Sequence, residues 1–173
     1  MPSPLGHALG GLIVHAASAD RDELWNPRRA LLFAGLAAAP DLDLLFRLLD
    51  GNPHHRAETH SLGAAIIAGL VVGLAARLAR RQRPAALAAA AGCAWLSHVL
   101  LDVLGADSYP PYGVMALWPL TAEYLRSPIP VFLDIGRRLA WATVWQNAVA
   151  AAWEVVVLFP ILLAVVRWRE PRS

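Results

Sequence analysis

The sequence predicts an all-α protein, a polytopic transmembrane helical bundle of about four to five membrane helices, each crossing needing roughly 20 apolar residues. Three observations carry that prediction. Apolar side chains make up 57% of the 173 residues and the mean hydropathy is +0.46, which is too oily for a typical soluble domain. The apolar residues are gathered into long runs separated by short stretches rich in proline and charge. The 15 basic residues are all arginines, and many close the apolar runs, as loops beside membrane helices do. The length suits a single domain, residues 1–173.

The same numbers exclude some functions. A net charge of +2 builds no dense basic face, so no nucleic-acid partner is expected. Cys93 is the single cysteine and lies in an alanine-rich run, so a metal would have to be held by nitrogen and oxygen. The N-terminus lacks a basic region before its first apolar run, and a cleaved signal peptide is not expected.

Taken in order, Leu5 to Ala19 is apolar apart from His7 and His15, and Gly6, Gly10 and Gly11 would let another helix pack closely. Asp20 to Arg29 is charged, contains Pro27 and reads as a loop. Ala30 to Ala39 is apolar until Pro40, which removes a backbone donor and should bend or end the helix just before Asp41-Leu42-Asp43. Asp50-Gly51-Asn52-Pro53 is a turn signal. It leads into His54-His55-Arg56-Ala57-Glu58-Thr59-His60-Ser61, a polar cluster at the lip of the apolar run Leu62 to Ala76. Arg77, Arg80, Arg81 and Arg83 close that run, and Ala85 to Leu104 follows, interrupted by Ser97, His98 and Asp102. Between Gly105 and Arg138, prolines alternate with tyrosines and Trp118, a mixture suited to an irregular segment at the membrane interface. The last span, roughly Leu139 to Val166, carries Glu154 and ends in Arg167, Arg169 and Arg172.

The arginine loop at 77–83 should be cytoplasmic, since short cytoplasmic loops are enriched in basic residues. If the chain zigzags, His7, Asp41, Asp43, His55, His60, His98 and Asp102 then fall at one depth, near the non-cytoplasmic face. Each motif also has a plainer reading. His98 and Asp102, four apart, share one helix face and could hold a metal or simply bond each other; ionisable groups within a span are costly and usually functional. Asp41 and Asp43 could aim at a metal or cap a polar loop. Thr59 or Ser61 could cap the next helix, placing His60 at a helix N-terminus that favours anions. Arg56 could clamp such an anion, and Glu58 could be a base or a first-turn carboxylate. His54 reads as a spectator, His7 as either a buried bonded histidine or a ligand, and His15 as unrelated. Glu154 could support a ligand histidine or pair with an arginine.

Five motifs in order resemble the YdjM-like family of inner-membrane proteins described as metal-dependent hydrolases and as LexA-binding. They are Gly6-His7, Pro40-Asp41-Leu42-Asp43, His55-Arg56-x-x-Thr59-His60-Ser61, Leu96-Ser97-His98-Val99-Leu100-Leu101-Asp102 and Gly113-Val114-Met115-Ala116-Leu117-Trp118-Pro119. The resemblance spans about residues 6 to 120. It implies a metal centre of His7, Asp41, His55, His60, His98 and Asp102, with Asp43 a weaker candidate. Ala57-Glu58 departs from the glycine that often follows the arginine in that family.

The function expected from this set is metal-assisted hydrolysis in the inner membrane by one or two divalent ions, zinc by default. A phosphoester or phospholipid substrate suits a site at the lipid interface, with Arg56 and Glu58 as the candidate catalytic side chains. Alternatives are a bundle stapled by a structural metal or polar cluster, a regulatory binding module, and a transporter.

Overall fold

The computed structural model describes residues 1–45, 55–136 and 140–170. They form five α-helices: α1 (Pro4–Ser18), α2 (Pro27–Ala38), α3 (Leu62–Leu78), α4 (Pro84–Val103) and α5 (Trp141–Arg169). Two short 3-10 segments, Ala39–Leu45 and Glu58–His60, lie between α2 and α3. Among the described residues, β-type pairing is confined to isolated contacts of Gly105 with Phe132 and Val114 with Leu125, inside the irregular segment. His54 and the turn signal before it lie outside the described residues.

Local chemistry sets where the helices start. Asn26 Oδ1 accepts from the backbone N–H groups of Arg28 and Arg29, and Pro27 occupies the first helical position. The loop expected as far as Arg29 therefore ends earlier. A proline at that position begins a helix, because its missing N–H would have had no partner there. Ser61 caps α3 by accepting from Ala64 N–H at 3.1 Å, which decides between the two candidate caps. Pro40 acts as expected: α2 stops at Ala38 and tightens into the 3-10 segment that carries Asp41 and Asp43.

Helix α1 is the hub, packing against α2, α4 and α5, while α3 pairs with α4. The three glycines of α1 each face a different neighbour. A Cβ on Gly6 would lie 2.6 Å from the Glu154 carboxylate of α5, one on Gly10 3.0 Å from Leu101 of α4, and one on Gly11 2.3 Å from the Phe33 carbonyl oxygen of α2. This small-residue surface lets three helices approach α1 and sets the depth of His7 among them.

The burial pattern is inverted relative to a protein in water. His7, His60, His98, Glu154, Asp43 and Asp102 are among the largest fully buried side chains, whereas Ile66, Ile67, Leu70 and Val71 of α3 and Trp145, Val156 and Phe159 of α5 are exposed. Such an arrangement belongs in lipid, where an apolar exterior costs nothing and polar groups must find partners inside.

Among the described residues, two helices are long and apolar enough to cross a membrane, α4 with 20 residues and α5 with 29. The apolar α3 has 17 residues, α1 has 15 and α2 has 12. At about 1.5 Å per residue these three reach about 26, 22 and 18 Å, short of a hydrocarbon core of about 30 Å. Length and hydropathy thus support two membrane helices among the described residues, fewer than the four to five expected. Pro27 and Pro40 confine α2, and the polar 55–61 loop begins α3 late.

The candidate ligands gather at one end of the bundle. His7 lies in the first turns of α1, Asp41 follows α2, His60 precedes α3, and His98 and Asp102 occupy the last turns of α4. The opposite end holds most of the described arginines. There Arg83 pairs with Asp20 at 2.9 Å, Arg29 donates to the Ser18 carbonyl at 3.2 Å, and Arg169 donates to the Ala19 carbonyl.

Candidate metal centre

Three histidines have one ring nitrogen fixed from outside, so the other is aimed by elimination. His98 Nδ1–H donates to the Ala37 carbonyl at 2.7 Å, and His55 Nδ1–H donates to Asp43 Oδ1 at 2.8 Å. His60 Nδ1 faces Asp43 Oδ2 at 3.2 Å and Thr59 Oγ1 at 3.0 Å. Carbonyls and carboxylates only accept, so Nδ1 carries the proton in His98 and His55, and each Nε2 keeps a free lone pair. This is how ligand histidines are usually held.

Those Nε2 atoms converge on two carboxylates. His98 Nε2 lies 3.1 Å from Asp102 Oδ2 and 3.6 Å from Asp41 Oδ1. His60 Nε2 lies 3.5 Å from Asp41 Oδ1 and 3.6 Å from Asp102 Oδ2, and His7 Nε2 lies 3.5 Å from Asp102 Oδ1. His7 stacks on His98, ring centroids 3.6 Å apart, and His60 meets the same His98 ring edge-on. Most of these separations are too long for strong hydrogen bonds. They match the edges of a coordination shell, because ligand atoms bound at about 2.0–2.2 Å stand about 3.0–3.6 Å apart.

The fit to a cation rests on buried atoms without partners. His7 Nε2, His60 Nε2, His98 Nε2 and both Asp102 oxygens are buried and make no hydrogen bond. Leaving so many buried polar groups unpaired is expensive, and a divalent ion at their centre would satisfy them together. Two sets have their ligand atoms mutually within 4.8 Å: His7, His98 and Asp102, and Asp41, His55 and His60. These buried His/Asp groups could hold a metal ion.

Electrostatics of the loop residues point the same way. Burial alone would push His60 down, but the carboxylates of Asp41 and Asp43 outweigh it and lift the imidazole to about 9. Burial raises Asp41 and Asp43 as well, yet hydrogen bonds from the histidines hold both below the usual carboxylate range, with Thr59 adding to the effect on Asp43. A concentration of negative charge is therefore present at neutral pH, ready for a cation.

The remaining candidates sit at the margin. Asp43 spends its oxygens on His55, His60, Thr59 Oγ1 at 2.7 Å and Arg56 N–H at 3.3 Å, supporting the ring of ligand candidates rather than facing its centre. Arg56 is buried with a left-handed backbone (φ 74°). Its guanidinium pairs with Asp107 and donates to the Tyr109 carbonyl at 2.9 Å. Glu58 is exposed, and its carbonyl accepts from Ser61 Oγ at 2.5 Å. His15 is separate, donating from Nε2 to the Leu24 carbonyl at 3.0 Å.

Several supporting groups escaped the sequence reading. Asp107 had no visible link to Arg56, 51 positions away. Trp95 donates its indole N–H to the Thr59 carbonyl at 2.8 Å, tying the His60 segment to α4. Glu154 accepts from Ser3 N–H at 2.7 Å and from Ser3 Oγ, holding the start of α1 against α5. Spacing could have shown none of these, since each partner is distant in the chain.

Neither curated proteins nor solved structures yield a match to this chain. The profile of the YdjM inner membrane protein family matches residues 1–171. Ordered motifs, inverted burial and a match over nearly its whole length agree, and the chain belongs to the YdjM inner membrane protein family.

Proposed function

We propose that this protein is a membrane-bound metal-dependent hydrolase acting on a phosphoester or phospholipid-type substrate. The observation that carries the reading is the convergence of unpartnered, buried Nε2 and carboxylate atoms at separations of 3.1–3.6 Å. A bound divalent ion, zinc by default, would act as a Lewis acid and lower the pKa of water toward about 7. Hydrolysis rather than a closed structural staple is favoured by the accessible side of the cluster. The side chains of Asp41 and His55 are 22% and 13% exposed, whereas His7, His60, His98 and Asp102 show none. A catalytic site needs such an open position.

The protein's own residues would divide the work. Asp43 and the Ala37 carbonyl orient the imidazoles, and Asp41 is the carboxylate nearest solvent. Arg56 is committed to Asp107 and Tyr109, so it stiffens the wall of the site, leaving its Nε for an anion. Glu58, at the exposed lip, would act at the entrance. An apolar groove of about 310 Å³ between α3 and α4 supports a substrate with an acyl chain. It is lined by Leu62, Ile66, Leu70, Gly92, Cys93 and Leu96, and starts two residues beyond His60.

This reading places the chain in the inner membrane as a multi-pass protein, with the site toward the non-cytoplasmic face. Metal analysis of purified wild type beside His60→Ala and Asp102→Ala, with a hydrolysis screen over phosphodiesters and phospholipids, tests it. Wild type should hold metal and hydrolyse a member of that screen, and both variants should hold less metal than wild type and lose hydrolysis. Full metal content in both variants would remove the site.

A further inference from the structure

We infer that the centre binds two ions with separate protein ligands: a first held by His7, His98 and Asp102, and a second held by Asp41, His55 and His60. This deepens the hydrolase reading and rests on its metal centre. The first observation is that the ligand candidates form two trios. Each trio has its ligand atoms mutually within 4.8 Å, and no residue belongs to both. Each trio supplies two histidines and one carboxylate, a neutral-pH donor set adequate for one divalent ion that keeps a further position for water.

A single ion leaves residues unexplained. His55 is fixed by Asp43 at Nδ1, in the manner of a ligand histidine, and its ring stands 5.0 Å from that of His60. None of the close contacts to Asp102 involves His55, whereas His7, His60 and His98 all approach that carboxylate. One ion surrounded by His7, His60, His98 and Asp102 would give the orientation of His55 no purpose.

The two trios also share an edge. Asp41 Oδ1 is 3.5 Å from His60 Nε2 in its own trio and 3.6 Å from His98 Nε2 in the other. Asp102 Oδ2 is 3.1 Å from His98 Nε2 in its own trio and 3.6 Å from His60 Nε2 across the divide. A carboxylate equidistant from ligands of both trios is placed to bridge, as carboxylates do in two-metal hydrolytic sites.

The trios differ in surroundings, and the difference predicts their order of exchange. The first is built on α1 and α4 and is fully buried; the second rests on the two 3-10 segments and the turn before the second of them, and includes the partly exposed Asp41 and His55. The second ion should therefore leave first when a chelator is added, and the first should be retained longer.

Metal stoichiometry with Zn2+ and electron paramagnetic resonance with Mn2+, both on full-length detergent-purified protein, test this. Wild type should saturate at two Zn2+ per chain and lose them to a chelator in two phases. Its Mn2+ spectrum should show the halved hyperfine spacing of two coupled ions, a measurement that needs no variant to fold. His55→Gln should keep one ion, give an uncoupled spectrum and lack the faster chelation phase. His7→Gln should also keep one ion and lack the slower phase. Saturation of wild type at one ion, or retention of two by His55→Gln, overturns the two-ion assignment while leaving a metal centre in place. Wild type that takes up no ion overturns the metal centre with it.

Discussion

Asp43 lies beside the candidate metal centre without facing it. Both oxygens are engaged, Oδ1 by His55 and Oδ2 by Thr59, the Arg56 N–H and His60. Replacing it by asparagine exchanges an acceptor for an amide donor at one of those positions and loosens at least one imidazole. Asp43→Asn should weaken Zn2+ binding by about 10- to 100-fold, as losses of such supporting carboxylates do; a chelator-competition titration reads this directly. An unchanged affinity would mean that the histidines are held without it. The pH dependence follows from His60, whose pKa is lifted to about 9 in the metal-free protein. An incoming ion must displace that proton, and protons compete more strongly as pH falls. Apparent Zn2+ affinity should therefore rise about tenfold per unit between pH 6 and 8 and flatten above about 9. Asp41 and Asp43 contribute no slope there, because both are held ionised well below that window. A flat titration across pH 6–8 would exclude His60 as the competing base.

At the scale of the elements, Glu154 is the clearest case of a buried charge that joins two helices. Its carboxylate accepts from Ser3 N–H and Ser3 Oγ, at the helix start whose first turns carry His7. Removing it leaves the Ser3 groups buried without an acceptor. Glu154→Ala should cost about 1.5–3 kcal/mol, the range for a hydrogen bond to a charged group, visible as a lower melting temperature in detergent. It should also weaken metal binding, since α1 would no longer hold His7 at a fixed depth. Glu154→Gln, which keeps one acceptor, should lie between. The spans around this contact were legible in the sequence, because α3, α4 and α5 each follow a long apolar run bounded by arginine, proline or a capping serine. His98 and Asp102 stand out by the cost of ionisable groups within an apolar run, whereas the full set of candidate ligands came from the family resemblance. Legibility failed where the deciding partner was far away. Pro27 read as a loop because its cap, Asn26, is meaningful only once a helix follows. The role of Glu154 depends on a residue 151 positions distant, and that of Arg56 on Asp107. Nor does hydropathy alone separate a helix that crosses a bilayer from the shorter α1 and α2, whose ends are set by proline and capping chemistry.

Across the whole molecule, charge and chemistry are segregated to opposite ends, and this polarity yields a prediction about orientation. Helices α1 and α3 run away from the ligand cluster and α2 and α4 return to it, so His7, Asp41, His60 and Asp102 meet at one end. Arg28, Arg29, Arg77, Arg80, Arg81, Arg83, Arg167 and Arg169 collect toward the other. Basic residues resist translocation, so the arginine end should face the cytoplasm. Suitable reporters need exposed positions, which rules out the buried Ser61 and favours Glu58 at the lip of the site and Gln82 between α3 and α4. In a Cys93→Ser background, Glu58→Cys should react with a membrane-impermeant maleimide in intact spheroplasts, and Gln82→Cys only after the membrane is opened. Gln82 lies outside the helices and away from the histidines, so metal content should remain at the wild-type level in Gln82→Cys and serve as the folding control. Labelling of both positions from the same side would break the link between the segregated arginines and orientation. Reversed labelling would instead put the His/Asp cluster in contact with the cytoplasm, where the proposed substrate would be a soluble phosphoester rather than the head group of an outer-leaflet lipid.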